Sequence, residues 1–485
     1  MTSGAVVCAV DIGTSAVRAA LVTRGGRRLV EARSGRGPDE GAETFDAELL
    51  WEGLCDVLRR LSAEGPRADV RCLAIAGHVG QVPVDERGRP LGRAGGWADS
   101  RGVHELAHGW PDPADALRVT GRPAVTGGAV PLLCRLREEE PVLHERTRWV
   151  LAPKDFLVLR LTGAAATDPT SAAYTLGSDV TRRAWDPALL AVTGKGTRHF
   201  PPQHAATDIV GAVTPPAAEA TGLPAGLPVA AGGPDGTVGA AAVAGGAVGA
   251  VVDVAGTTDV LTRVIASPDE RPAAAVLNPY LTPDLWTCGG ATGMTGGALA
   301  HWVRLLGLGD PATALRRLEP TLRALPPGSD GLSLSPLLTG SRFPGWNPNE
   351  RGRLWGLGEH HTPAHVLHAA QEAASYVVRQ AVDTLMADLA HDSAVVLTGG
   401  PSRSPALAQL RADVLGRPVL AATEADATLH GAALLALVAA GLEPDLPTAQ
   451  AHTAPRLHRY TPRDAIAASY ERLYREWLGA MGCMS

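Results

Sequence analysis

The chain has 485 residues, which is too long for one ordinary domain and fits two large α/β domains or about three smaller ones. Its formal net charge is −6 and its basic residues form no long cluster, so we expect neither nucleic acid nor a membrane as a partner. The lack of a signal-peptide pattern, and of any apolar run approaching ~18 residues, predicts a cytoplasmic protein.

The cysteines and histidines indicate neither a disulfide framework nor a metal centre. The six cysteines form no CxxC pair, and the fifteen histidines show no HExxH spacing. The cysteines are Cys8, Cys55, Cys72, Cys134, Cys288 and Cys483. We expect reduced thiols at all six positions, as is usual inside cells.

The first candidate site is a hairpin at the start of the chain. Val6–Asp11 is an apolar strand that ends in an acid, and Val17–Val22 is a second strand. The turn between them contains small residues: Gly13, Thr14 and Ser15. Their N–H groups and hydroxyls can cradle a phosphate, and Asp11 can reach a hydrated Mg²⁺. The alternative is an ordinary polar turn.

A second candidate region follows the next buried strand, Val70–Ala76. A polar, glycine-flanked loop comes directly after it, at Gly77–Gln81, where α/β proteins place ligand contacts. An aromatic residue, an acid and a base then lie close together: Trp97, Asp99 and Arg101. Trp97 could stack on a sugar face while Asp99 accepts its hydroxyls. Alternatively, the tryptophan packs internally beside a local Asp99–Arg101 ion pair.

The stretch Leu227–Gly246 contains the main candidate for chemistry. A short strand, Pro228–Ala231, breaks at a Gly-Gly-Pro run, and Asp235 then stands at the mouth of a helix of small residues. Because a helix N-terminus favours negative charge, we expect Asp235 to stay ionised and to accept a proton or orient a hydroxyl. The alternative is that Asp235 is only the N-cap.

The opening hairpin is repeated about half a chain later. Val10–Ser15 and Val252–Thr258 match with one insertion. Similarity at half-length predicts duplicated domains, in which two facing hairpins clamp a polyphosphate from both sides. Chance similarity of short valine-rich hairpins is the alternative.

Glycine-rich segments also occur in the second half. Gly289–Gly297 precedes a helix that starts near Ala298, and Thr398–Pro405 lies between a strand and a helix. A strand, two glycines and a helix start can accommodate a nucleotide that lies flat on the glycines. A capped helix is predicted from Pro363 to Leu389. The tail beyond His452 shows little pattern.

Together these stretches resemble the FGGY family of carbohydrate kinases. The matching segments, in order, include AVDIGTSAVRAALV, GGWADSRG, PKDFLVLRLTG, TDPTSAAYTLGSDV, AAGGPDG, VAGTTDV, TGMTGGALAHW and VLTGGPSRSPALAQLRADVLGRPV. The resemblance implies an α/β fold of two duplicated actin/Hsp70-like (ribonuclease H-like) domains with an ATP cleft between them. Residues 1–246 would bind the sugar and carry the base, and residues 247–485 would bind the nucleotide.

The resemblance also implies an ATP-dependent phosphorylation of a sugar, ketose, polyol or related small molecule, with Asp235 as the base and Asp11 on Mg²⁺. The phosphates would be held by Gly13, Thr14, Ser15, Gly256, Thr257 and Thr258. The nucleotide pocket would be lined by Gly296, Gly297, Gly399, Gly400 and Ser404. The sugar would contact His78, Gln81, Trp97, Asp99, Arg101 and Asp235.

Two departures from the family leave the sugar open. Gly236 stands where the family commonly has Asn or Gln. Xylulokinases carry a Gln-Met-His-Gly run in the loop after the third strand, and the corresponding loop here, Gly77–Gln81, is one residue shorter. The rival hypotheses are a non-catalytic sugar- or nucleotide-binding regulator and an Hsp70/actin-type ATPase on the same fold. The presence of both Asp11 and Asp235 argues against the regulator. A homodimer stays open as a further expectation.

Overall fold

The structure is a computed structural model, and it describes residues 4–37, 43–64, 69–106, 110, 112–124, 128–422 and 426–482. The strands of the first half are β1 (Val6–Ile12), β2 (Ala16–Thr23), β3 (Arg28–Gly35), β4 (Thr44–Phe45), β5 (Val70–Gly77), β6 (Gly80–Val84), β7 (Ala94–Gly96), β8 (Trp149–Leu151), β9 (Ser178–Asp179), β10 (Ala184–Trp185), β11 (Ile209–Ala212), β12 (Pro228–Ala230) and β13 (Gly233–Pro234). Its helices are α1 (Ala47–Glu64), α2 (Val103–Leu106), α3 (Pro113–Thr120), α4 (Ala129–Glu139), α5 (Pro141–Arg146), α6 (Pro153–Thr162), α7 (Pro169–Ala173), α8 (Pro187–Ala191), α9 (Pro215–Thr221) and α10 (Asp235–Ala244).

The second half contains a comparable set of elements. Its strands are β14 (Val251–Ala255), β15 (Thr258–Ile265), β16 (Val276–Pro279), β17 (Trp286–Met294), β18 (Ser333–Ser335), β19 (Arg353–Trp355), β20 (Val395–Gly399), β21 (Val419–Ala422) and β22 (Leu457–Tyr460). Its helices are α11 (Gly296–Leu305), α12 (Pro311–Ala324), α13 (Pro363–Leu385), α14 (Pro405–Leu415), α15 (Ala427–Ala439), α16 (Leu446–Thr453) and α17 (Asp464–Met481).

The two large sheets have the same strand order. The first runs β11-β12-β5-β1-β2-β3, and the second runs β22-β21-β20-β14-β15-β17, with β16 beyond β17. In each sheet three inner strands are parallel and the flanking strands are antiparallel. The hairpin β14–β15 therefore occupies the place that β1–β2 has in the first sheet. This confirms the predicted α/β fold with two duplicated halves.

The central strands are apolar because both of their faces are covered. All seven residues of β1 are buried, and its neighbour β5 is buried from Cys72 to Gly77. Near-continuous apolar runs are typical of such strands, whereas α1 shows a helical stripe of buried residues. Asp46 directly precedes α1, and its Oδ1 accepts a hydrogen bond of 2.8 Å from the Glu48 N–H.

Two helices of small residues join the halves by reciprocal packing. α15, from the second half, packs on β1 and β5, while α10, from the first half, packs on β14. The helices also pack on each other, and a Cβ at Gly431 of α15 would lie 2.1 Å from the Val238 carbonyl oxygen of α10. Only glycine permits this approach, and the two helices and both sheets share one apolar core. The proposed boundary between residues 246 and 247 falls in the connection from α10 to β14.

The tail is more ordered than the sequence indicated. β22 extends the second sheet, and α17 packs a buried aromatic face of Tyr470, Tyr474 and Trp477 against Tyr376 of α13. The long helix α13 ends at Leu385, four residues before the predicted end. The cysteines Cys8, Cys55, Cys72, Cys134 and Cys288 are buried free thiols, and Cys483 lies outside the described residues.

Within the described ranges, no helix is long and apolar enough to cross a membrane. The same part of the chain holds no cluster of three or more histidine, cysteine or acidic side chains suited to a metal ion.

Candidate active site

Both hairpin turns present small residues at the surface. In the first turn the Gly13 N–H donates to the Ala16 carbonyl over 2.9 Å, which leaves Thr14 half-buried and Ser15 exposed. In the second turn Gly256 and Thr257 are exposed and Thr258 is half-buried. Each turn therefore has exposed residues that a ligand can reach.

The glycine segments of the second half converge on the second turn. The Gly297 N–H donates to the Thr257 carbonyl over 2.9 Å, and a Cβ at Gly296 would lie 2.2 Å from the Gly256 carbonyl oxygen. Gly399 has a φ of +92°, and a Cβ there would lie 2.1 Å from the Ala255 carbonyl oxygen. These contacts bring the ends of β14, β17 and β20 together. Gly400 follows Gly399, and a Cβ there would meet no atom within 4 Å.

Ser404 has a structural role at the edge of this region. It is the N-cap of α14, and its hydroxyl accepts a hydrogen bond of 3.3 Å from the Leu407 N–H. Its backbone N–H donates to the Pro401 carbonyl. The hydroxyl is therefore used to begin a helix next to the glycines.

Asp11 is buried at the end of β1 and forms an ion pair with Arg18. Burial raises the pKa of Asp11 to about 7, and the attraction of Arg18 only partly offsets it; the nearby carboxylates of Asp235 and Asp426 raise it further. Mg²⁺ usually takes one or two protein carboxylates and completes its shell with water and phosphate oxygens. One carboxylate at this position fits such an ion.

Asp235 is the first residue of α10, and the N-cap is Pro234. The alternative that Asp235 is only the N-cap is therefore wrong, although its Oδ1 accepts a hydrogen bond of 2.7 Å from the Gly236 N–H. Burial raises the pKa of Asp235. The Gly236 N–H and Arg18 lower this pKa, but their effect is smaller than that of burial. The expectation based on the helix N-terminus alone missed this effect, because loss of water outweighs the dipole here.

Asp11 and Asp235 lie at the same end of β5. Ala76 of β5 pairs with Asp11 on one side and with Gly233 on the other. Two strand spacings of ~4.8 Å put these flanking backbones roughly 10 Å apart. The strand register therefore brings together two acids that are far apart in the sequence.

His78 uses both ring nitrogens in contacts within the protein. Nε2 lies 3.0 Å from Arg36 Nη1, and Nδ1 lies 3.0 Å from the Val79 carbonyl oxygen. An arginine can only donate and a carbonyl can only accept, so the imidazole carries its proton on Nδ1. Burial lowers the pKa of His78 to about 4, and Arg36 contributes to this. The ring is neutral near pH 7.

Gln81 also has partners in the protein. With its amide oriented to satisfy both contacts, it donates to the Gly95 carbonyl over 3.2 Å and accepts from the Gly128 N–H over 2.8 Å. Asp99 and Arg101 form a bidentate ion pair with two contacts of 2.8 Å, as the alternative predicted. Trp97 is half-buried, and the Arg342 guanidinium lies 5.2 Å from the centre of its ring.

A small pocket lies beside the Gly77–Gln81 loop. Its walls include two of the predicted sugar-binding residues and Pro234, the neighbour of Asp235. The lining includes Gly77, His78, Gln81, Lys154, Asp155, Thr167, Tyr174, Trp185 and Pro234.

The sequence reasoning did not single out the charged group below this pocket. Lys154 is buried, and its Nζ contacts Asp155, lies 3.0 Å from Asp168 Oδ1 and donates to the Ala231 carbonyl over 3.0 Å. The Ala231 carbonyl belongs to the segment that leads to Asp235, so this cluster fixes the approach to the acid. The sequence did contain a signal for this cluster, because a lysine stands at the start of the apolar run of α6. Lysine is rarely fully buried without charged partners, so a lysine in such a run indicates a buried ion pair.

The halves of the chain match known protein families in the same order as the two sheets. Residues 6–242 match the N-terminal domain of the FGGY family of carbohydrate kinases, and residues 251–440 match its C-terminal domain. The chain is 28% identical over 486 residues to a xylulose kinase of Escherichia coli (strain K12), covering 97% of this chain and 99% of the relative. It is 24% identical over 488 residues to a gluconokinase of Bacillus subtilis (strain 168), covering 96% and 93%.

A solved structure agrees with these matches. The xylulose kinase from Rhodospirillum rubrum superposes with a TM-score of 0.85 at 27% identity, and the match covers 99% of each chain. The fold, the duplicated hairpins and both family matches lead to one conclusion. The chain belongs to the FGGY family of carbohydrate kinases, and it is a phosphotransferase that uses an alcohol group as acceptor.

Proposed function

We propose that this protein transfers the γ-phosphoryl group of ATP to a hydroxyl of a sugar, ketose or polyol bound in the pocket beside His78. The observation that carries the proposal is the register of β5, whose Ala76 pairs with Asp11 on one side and, on the other, with Gly233, two residues before Asp235. The pocket reaches Pro234, so an acceptor inside it would lie next to the acid.

Asp235 would act as the general base. The Gly236 N–H fixes Oδ1 and leaves Oδ2 for the acceptor hydroxyl. As the acceptor oxygen bonds to the γ-phosphorus, the bond from phosphorus to the bridging oxygen of ADP breaks, and the hydroxyl proton passes to Asp235. A raised pKa makes the carboxylate a stronger base, while desolvation also favours its protonation after transfer.

The two hairpin turns would bind the phosphates from opposite sides. The candidates are Gly13, Thr14 and Ser15 in the first half and Gly256, Thr257 and Thr258 in the second. Gly296, Gly297, Gly399 and Gly400 belong to the segments that meet the second turn, which supports a nucleotide site there. In phosphoryl transfer the protein mainly positions the reactants, so this clamp would supply much of the catalysis.

Asp11 is the residue that would hold a Mg²⁺ ion, which neutralises phosphate charge when bound. Its single buried carboxylate suits an ion whose other ligands are water and phosphate. Arg18 already contacts Asp11 and would keep the charge near this carboxylate balanced.

The test is ATP turnover measured with and without a panel of D-xylulose, gluconate, glycerol and related polyols. We expect turnover that depends on one acceptor and yields its phosphate ester. ATP turnover that is the same with and without every acceptor would favour an ATPase acting on another target. Binding of sugar or nucleotide without any turnover would favour a regulator.

A further inference from the structure

Arg342 of the second half and Trp97 of the first half are in contact. The Arg342 guanidinium carbon lies 5.2 Å from the centre of the Trp97 ring, within the range of a cation–π contact. Trp97 belongs to the first half and Arg342 to the second. The pair therefore bridges the side that carries the sugar pocket and the side that carries the second hairpin.

Backbone hydrogen bonds anchor each partner beside a candidate ligand site. Trp97 follows β7, whose Gly95 pairs with Gln81 in the pocket wall. The Arg342 N–H donates to the Thr292 carbonyl of β17, and Met294 of the same strand pairs with Thr258 of the second turn. Trp97 is thus connected through β7 to the pocket wall, and Arg342 is connected through β17 to the second turn.

The charge of Arg342 is not matched by an acid among the described residues. No ion pair or side-chain hydrogen bond of Arg342 occurs in this part of the chain, and burial alone lowers its pKa. Two other cations of the first half differ in this respect, because Lys154 contacts two carboxylates and so does Arg18. A guanidinium stacked on an aromatic ring keeps its in-plane N–H donors free, and these suit planar or tetrahedral oxyanions.

We propose that Arg342, held in place by Trp97, binds an oxyanion that enters the cleft. The oxyanion has two sources under the proposed function, on which this inference rests: the phosphoryl group in transfer, or a carboxylate on the acceptor. Because Trp97 belongs to the first half and Arg342 to the second, each half supplies one part of this site.

The first experiment compares Arg342→Met and Arg342→Lys with wild type, using ATP with glycerol, D-xylulose and gluconate. If the oxyanion is the phosphoryl group, kcat falls by roughly 10²-fold in Arg342→Met with the accepted substrate, the loss typical of one preorganised donor. If it is a carboxylate, KM for gluconate rises and neutral acceptors are unaffected. Arg351→Met is the matched control, because Arg351 is an exposed arginine nearby that contacts only backbone carbonyls.

The role of Trp97 is tested in the same assay. Trp97→Leu removes the aromatic face and should reproduce the loss seen in Arg342→Met, whereas Trp97→Phe keeps a face and should lose less. Rates within twofold of wild type for both Arg342 variants, in an active enzyme, would overturn the inference.

A second measurement does not depend on turnover. Calorimetric titrations with ATP, ADP and gluconate report whether Arg342 contributes to binding. We expect Arg342→Met to weaken the binding of ATP or of gluconate by at least ~10-fold, while the affinity for ADP stays unchanged. Equal affinities of variant and wild type for all three probes would overturn the oxyanion site. A wild type that binds these probes but phosphorylates no acceptor would count against the proposed function instead.

Discussion

Arg18 in the first half forms an ion pair with Asp426 in the second half, with Nη1 and Oδ2 2.7 Å apart. The other terminal nitrogen of Arg18 contacts Asp11, so one guanidinium neutralises two buried acids. Asp426 also begins α15, the helix that packs on β1. The candidate metal ligand is therefore connected directly to the contact between the halves.

Replacing Arg18 with Gln should destabilise the fold. Two buried carboxylates would lose their cation, and loss of one partner of a buried pair costs about 3–5 kcal/mol. Arg18 is 31% exposed, so we expect a smaller loss of about 2 kcal/mol in the free energy of unfolding. Denaturant unfolding measures it. Arg71→Gln is the control, because the Arg71–Asp69 pair is exposed on both sides and should contribute under ~0.5 kcal/mol. Equal effects of the two substitutions would contradict the role of Arg18.

Asp235→Asn should lower acceptor-dependent turnover by at least ~10²-fold and leave ATP affinity nearly unchanged, since it removes only a positioned base. Steady-state kinetics and calorimetric ATP titration measure the two quantities. Asp464→Asn is a matched control: Asp464 is likewise the first residue of a helix, but it is exposed on α17. Unchanged turnover in Asp235→Asn would remove Asp235 from the mechanism.

His78 should make the fold sensitive to acid. Its pKa is about 4 in the folded protein, below the ordinary value of 6.5, so the unfolded chain binds more protons between these values. Its contribution to stability is complete above pH 6.5 and is lost as the pH falls towards 4. At pH 5 the loss is roughly 2 kcal/mol.

Urea unfolding of wild type and His78→Gln at pH 7.5 and pH 5 tests this dependence. The stability advantage of wild type over the variant should shrink by that amount at pH 5. His391→Gln is the control, because His391 is exposed, and its difference from wild type should stay constant. A constant difference for His78→Gln as well would show that the imidazole does not drive the acid sensitivity.

Gly399→Ala should destabilise the end of β20. The new Cβ would lie 2.1 Å from a backbone oxygen of β14, and the φ of +92° is strained for any other residue. We expect a loss of roughly 1–3 kcal/mol, seen as a lower midpoint of thermal unfolding. The adjacent Gly400→Ala meets no atom within 4 Å and should leave the midpoint almost unchanged. Similar midpoints for the two variants would contradict this steric explanation.

The features that the sequence predicted correctly are local or repeated. Apolar runs indicated the central strands, and the match between Val10–Ser15 and Val252–Thr258 indicated two equivalent sheets. These properties depend on short segments, whose hydrophobic pattern and turn residues determine their structure.

Other features depend on contacts between distant segments. The sequence could not show that the His78 imidazole accepts a hydrogen bond from Arg36, or that the Arg342 guanidinium lies over the ring of Trp97. Desolvation of Asp235 likewise depends on what surrounds it, so the helix end alone did not show that burial raises its pKa. The buried aromatic face of α17 was also missed.

The exchange of α10 and α15 between the sheets means that neither half is a self-contained folding unit. Each half, made alone, would leave the central strands of its own sheet without the helix that the other half donates. The duplication therefore behaves like a domain-swapped dimer fused into one polypeptide, in which separately expressed halves would need each other to become native. Because Gly431 meets the Val238 carbonyl where α10 and α15 cross, a single bulky substitution at Gly431 would disturb the packing of both halves.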